Sequence, residues 1–160
     1  MNQRDEILCM DDENLAAICR LEFYKGSGPG GQHRNKTSSA VRVTLEKYNI
    51  SVSDCTERQQ HRNRHNALKK LKMVLALTQR QSPGDISGII FCSIHSPDYP
   101  LWTAMLFDIL EANNYDHKAS AHQCGISPSA LLKKLARDPQ LWREFTTRRT
   151  ALGLPALKQP

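Results

Sequence analysis

The sequence predicts an α+β fold, in which a small domain of antiparallel strands packed on a long helix precedes an all-helical segment. Three observations carry this expectation: period-two alternation of apolar residues within 21–25 and 40–53, a helical period over 57–79, and helical patterns after residue 97. The turn-forming cluster Ser82-Pro83-Gly84-Asp85 marks the change in character. It gives a first domain over 1–81, a linker or extra strand over 82–97 and a helical domain over 98–160.

Asp11-Asp12-Glu13-Asn14 suits the start of a short helix through Leu15, Ala16 and Ile18, because side-chain oxygens and negative charge both favour a helix N-terminus. Residues 21–25 then alternate as a half-buried strand. In 40–45, Val41, Val43 and Leu45 share one face while Arg42 and Thr44 take the other, and 46–49 connect this strand to another at 50–53, an antiparallel hairpin. Over 57–79, Ala67, Leu71, Val74 and Thr78 form an apolar stripe reinforced by Leu68 and Leu75. Arg58, Arg62, His65, Lys69 and Lys72 fall on the opposite side of the wheel. Such a stripe is usually a solvated face, but its near lack of acids favours a phosphate-facing surface.

Residues 86–94 are apolar enough for a strand, and 101–110 read as an amphipathic helix. Within 117–137 the pattern Ala119, Ala121, Gly125, Ile126, Ser127, Leu131, Leu132 predicts two short helices hinged at Gly125, the second capped by Ser127, a helix-turn-helix-like unit. Hinges of this kind are common in helical packing, so direct reading of nucleic acid is one option among several. A last helix begins near Asp138-Pro139 and stops at Gly153-Leu154-Pro155. Trp102 and Trp142, at helical spacing from other apolar residues, are expected in the core.

At 160 residues the chain has room for one ordinary domain, or a small one with a helical appendage. Its 22 Lys and Arg against 16 Asp and Glu give a formal charge of +6, which fits a polyanionic partner or simply a basic soluble protein. The five scattered cysteines lack a CxxC pair, which argues against a disulfide framework or structural zinc and for a reducing cytosol or organelle matrix. The N-terminus has no apolar signal region and no run is long enough to span a bilayer, so neither secretion nor membrane insertion is expected. No metal or cofactor is expected either. His61 and His65 are one helical turn apart but surrounded by arginines, and helix packing accounts for His117, His122 and Cys124.

Gly26-Ser27-Gly28-Pro29-Gly30-Gly31-Gln32 meets the spacing GxGxxG. The dinucleotide-binding mechanism needs a helix directly after the loop, and here the sequence turns to strand alternation instead; the lysine of a phosphate loop is also absent. A passive linker would not need the dense polar run His33-Arg34-Asn35-Lys36-Thr37 beside it. Gly30-Gly31-Gln32 with Asn35, Thr37, Ala40, Val41 and Arg42, followed by the run Glu57 to Asn63, resembles the catalytic GGQ domain of class I peptide-chain release factors over roughly 21–77. Lys25 and Arg34 depart from that family's usual arginine and apolar residue, and the connection near Tyr48-Asn49 is shorter.

The resemblance implies ribosome-dependent hydrolysis of the peptidyl-tRNA ester at the peptidyl-transferase centre, with Gly30, Gly31 and Gln32 as the catalytic tripeptide. It also makes the Gln32 side chain a target for a glutamine methyltransferase. Lys25, Arg34, Lys36, Arg42, Arg58, Arg62, His65, Lys69 and Lys72 are then the expected contacts to ribosomal RNA or tRNA. The chain has no room for the codon-reading domains of full-length factors, so it resembles the short release-factor-like proteins that rescue stalled ribosomes without a codon. Since its C-terminal residues are short and weakly charged, a C-terminal anchor through Lys133, Lys134, Arg137, Arg143, Arg148 and Arg149 is expected instead. Two other readings remain at this point: a non-catalytic ribosome- or RNA-binding protein that retains the fold, and a DNA-binding regulator, which leaves the first half unexplained.

Overall fold

The computed structural model describes residues 2–25, 38–84 and 92–160, and the chain divides into two compact units, Met1–Leu75 and Ala76–Pro160. The first unit opens with two short helices. Asn2 caps α1 (Gln3–Cys9) by accepting the Asp5 N–H at 3.0 Å, and Asp11 caps α2 (Asp12–Ala17) by accepting that of Asn14 at 2.8 Å. The sequence reading anticipates α2 and misses α1, whose seven residues are too few to show a period and which buries Arg4 beside Ile7 and Leu8.

Three strands, β1 (Arg20–Tyr24), β2 (Ala40–Leu45) and β3 (Ile50–Asp54), form an antiparallel sheet in that order. Val41 and Val43 are fully buried and Leu45 nearly so, while Arg42 points to solvent and the Thr44 and Ser51 hydroxyls meet at 3.0 Å on the outer face. A single 3-10 turn (Glu46–Tyr48) links β2 to β3, and Asn49 completes it at φ 52, a left-handed conformation that asparagine tolerates better than most residues. The expectation of a half-buried first strand is corrected. Among the described residues β1 pairs on one side only, Leu21 is partly exposed and Phe23 is 49% exposed.

The sheet packs on α3 (Gln60–Thr78). Its buried line runs Asn63, Ala67, Leu71, Leu75 at four-residue intervals with Leu68 alongside, rather than through Val74 and Thr78 as anticipated. Val74 is half-buried and Thr78 exposed, because the line follows i,i+4 steps from Asn63.

In the second unit, α4 (Tyr99–Ala112) is buried nearly all round, with Trp102 to Ala104 and Leu106 to Leu110 all inside. This corrects the amphipathic reading of 101–110: Thr103 and Asp108 face other chain segments, not water. Asp108 accepts the Gln81 N–H at 3.0 Å and lies 3.8 Å from Arg80, whose guanidinium covers the Phe107 ring and donates to the carbonyls of Ala76, Leu77 and Gln79. Most of the strand expected over 86–94 lies outside the described residues, and its described end, 92–94, is not a strand.

Next come α5 (His117–Gln123) and α6 (Pro128–Ala136), joined by a turn in which Gly125 takes φ +67 and Ser127 accepts the Ala130 N–H at 3.2 Å. A side chain at Gly125 would meet no neighbour, so what glycine relieves there is backbone strain, not crowding. The last helix, α7 (Pro139–Ala151), is capped by Asp138. Phe107, Tyr115, Phe145 and Trp142 meet in series at centroid distances of 5.8 to 6.5 Å, with Trp142 half-buried and the others inside. Burial pushes the Tyr115 hydroxyl up to about 12.

Candidate functional site

The described residues on either side of the glycine segment lie at one end of the sheet. The chain leaves β1 at Tyr24 and re-enters β2 at Ala40, its direct partner in the antiparallel register. The expected catalytic residues Gly30, Gly31 and Gln32, and the expected RNA contacts Arg34 and Lys36, lie between these points in the sequence and outside the described residues.

Two amides from the start of α3 secure the return. Gln60 Nε2 donates to the Ser38 carbonyl at 2.8 Å, and Asn63 Nδ2 to that of Ser39 at 2.7 Å. Asn63 is fully buried and also donates to the Glu57 carbonyl at 2.9 Å while accepting its N–H at 2.8 Å. One side chain thus holds β2's entry and the lead-in to α3. Both amides escape a reading by charge; the available signal is a polar residue standing i−4 from Ala67 on an apolar line.

Asp54, opposite Val41 at the same end, is buried; its carboxylate accepts from the Thr56 N–H at 3.0 Å, the Thr56 hydroxyl at 2.7 Å and Lys70. Burial alone would raise its pKa, but the bonds from Lys70 and Thr56 hold it below the usual carboxylate value.

The expected RNA contacts divide by their surroundings. Lys25, Arg58 and Lys69 are exposed. Arg42 lies over the Tyr24 ring and 3.7 Å from Glu22, and Arg62 is 3.8 Å from Glu57. His65 pairs with Asp12 and Lys72 donates to the Met10 carbonyl, so acids of α2 meet a helix face that carries almost none of its own. Burial lowers the Lys72 pKa, and the charge of Asp12 offsets part of that shift. In the second unit Lys133, Arg137 and Arg143 are exposed, Lys134 is half-buried, and Arg148 is bound to Glu144 at 2.7 Å. Arg149 corrects the expectation of an exposed anchor: it is 6% exposed and donates to the Tyr115 carbonyl at 2.6 Å and the Pro155 carbonyl at 3.0 Å, with its guanidinium over Phe145. Among the described residues no group of three or more His, Cys, Asp or Glu is placed to hold a metal ion, and no helix is long and apolar enough to cross a membrane.

Comparison with known proteins covers the same scaffold, matching residues 14–85 to the family described as the RF-1 domain. Residues 14–85 are an RF-1 domain. Peptide chain release factor 1 of Xylella fastidiosa (strain 9a5c) is 44% identical over 64 residues, 40% of this chain and 18% of that protein. Peptide chain release factor 2 of Campylobacter hominis is 51% identical over 63 residues, and that of Stenotrophomonas maltophilia (strain R551-3) is 56% identical over 55. These two matches cover 39% and 34% of this chain but 16% and 15% of the relatives, so the RF-1 domain is shared and most of each relative's length is not. Within the RF-1 domain lie β1, β2, β3 and α3, and with them the anchors Gln60 and Asn63.

Proposed function

We propose that this protein hydrolyses the ester bond of peptidyl-tRNA on the ribosome without reading a stop codon, a ribosome-rescue activity. The observation that carries the reading is the tripeptide Gly30-Gly31-Gln32 in an RF-1 domain, between two strands whose facing ends are Tyr24 and Ala40. Water attacking the ester carbonyl generates oxyanion and alkoxide charge, and a preorganised backbone N–H at residue 32 stabilises that charge without a titrating side chain. Gly30 and Gly31 let the main chain come close and adopt positive φ. The Gln32 side-chain amide orients water and excludes larger nucleophiles, and is the group a glutamine methyltransferase would modify. Ribosomal RNA and the terminal tRNA hydroxyl complete the site. Lys25, Arg34, Lys36, Arg42, Arg58, Arg62 and Lys69 grip RNA phosphates, an interaction that weakens as salt rises. His65 and Lys72 join them by exchanging their internal partners for phosphate.

The helical unit serves as the anchor, with α5 and α6 read as a helix-turn-helix-like pair. The place of action is wherever ribosomes work, cytoplasm or organelle matrix. The test uses ribosomes carrying labelled peptidyl-tRNA, with and without mRNA in the A site. Wild-type protein is expected to release peptide without a stop codon, and Gly31→Ala to lose about 100-fold in rate while still binding ribosomes. Gln32→Ala separates the side chain's contribution from the backbone's. Release by Gly31→Ala at the wild-type rate, or none by wild type in either mRNA state, overturns the reading.

A further inference from the structure

Two cations at the end of α6 are exposed, as Lys25, Arg58 and Lys69 are in the first unit. Lys133 and Arg137 stand one helical turn apart on its exposed side, with Ser129 one turn before them, and neither cation makes an ion pair or hydrogen bond among the described residues. From Ser127 to Arg137 there is no acid, and the next one, Asp138, is turned inward: one oxygen accepts from the Tyr99 hydroxyl at 2.9 Å and the other from the Gln140 N–H at 2.8 Å. Half-buried Lys134 has its pKa lowered by burial first and then by the charge of Arg137. Buried Leu131 and Leu135 fix the opposite side, so the ridge has a set orientation within its unit.

We propose that the ridge Ser129, Lys133, Arg137 is a docking surface for the phosphate backbone of duplex RNA. A helix that follows a tight turn and reads bases does so with long hydrogen-bonding side chains near its N-terminus. Here those positions are Ser127, Pro128, Ser129 and Ala130, and the cations come later, so the ridge suits phosphates and carries little sequence information. The choice of RNA over DNA rests on the ribosomal reading above. Cations in a last helical turn also complement the helix dipole, an effect that concerns stability alone.

The test titrates full-length protein with a short blunt RNA duplex, a DNA duplex of the same sequence and single-stranded RNA, at several salt concentrations. Lys133→Glu/Arg137→Glu is expected to weaken duplex-RNA binding about tenfold and to flatten its salt dependence by about two released counterions. The charge-matched control Arg20→Glu/Lys158→Glu is expected to stay within about twofold of wild type. Lys133→Gln/Arg137→Gln, with circular dichroism, covers any misfolding of the double reversal and should weaken binding in the same direction. Unchanged affinity in both α6 variants, an equal loss in the control, tighter binding to DNA, or no binding of duplex RNA by wild type each overturns the proposal. Peptide release by the wild type is followed in parallel: duplex RNA bound with no peptide released refutes the catalytic reading alone, and peptide released with no duplex RNA bound refutes the docking surface alone.

Discussion

Helices α3 and α6 look alike in the sequence, each a run of cations with scarcely an acid, yet their charges have opposite fates. On α3, Arg62, Arg64, His65 and Lys70 meet carboxylates from Glu57, Glu13, Asp12 and Asp54, and Lys72 meets a carbonyl. On α6, Lys133 and Arg137 meet none among the described residues. A linear charge pattern records what a helix carries and not what folds against it, so similar patterns conceal a helix on which most cations, Lys69 excepted, meet partners and one on which Lys133 and Arg137 meet none among the described residues.

The comparison is tested first where buried polar groups hold each unit. Arg149→Leu is expected to lower unfolding free energy by about 3 kcal/mol, since the Tyr115 carbonyl loses its donor inside the protein and the Pro155 carbonyl loses one nearer the surface. Chemical denaturation measures this, and a loss of only a few tenths would mean that water replaces the guanidinium. Asn63→Ala should cost about 2 kcal/mol and also slow peptide release, whereas Asn63→Asp, which keeps an acceptor for Glu57, should recover part of the stability. A release rate unmoved by Asn63→Ala would separate the anchor from the chemistry.

Smaller effects follow from the paired face. Asp54 has its folded-state pKa lowered from 3.8, so its contribution is fully present above that value and is lost as pH falls through the lower folded one. Stability curves of wild type and Asp54→Asn should therefore converge in acid; parallel curves would rule this out. A double-mutant cycle on Arg64 and Glu13 should give a coupling of about 0.5 kcal/mol, the scale of an exposed pair. Lys133→Ala should change stability least, within about 0.5 kcal/mol, and a larger loss would show that the α6 cations have internal work to do.

Much of this architecture was legible because short-range chemistry dictates it. Val41, Val43 and Leu45 announce a strand by alternation, Asp11 and Ser127 announce caps, and Gly125 announces the one backbone conformation a turn there requires. What stayed hidden depends on tertiary neighbours. Arg149 reads as a surface charge until the carbonyls of Tyr115 and Pro155 arrive around it, and α4 reads as amphipathic until a unit closes over all its sides. The candidate site divides the same way. Its tripeptide is visible as a motif, while Asn63 and Gln60, which fasten the strand beyond it, become visible only when the carbonyls of Ser38 and Ser39 are brought to them.

The pairing of Tyr24 with Ala40, reinforced from α3, has a consequence for engineering. Closing a longer connection across a fixed gap costs only about 0.6 kcal/mol per doubling of its length. Foreign residues spliced in between 26 and 37 should therefore leave the melting temperature nearly unchanged, and the scaffold becomes a frame into which alternative tips can be cut and compared at constant stability.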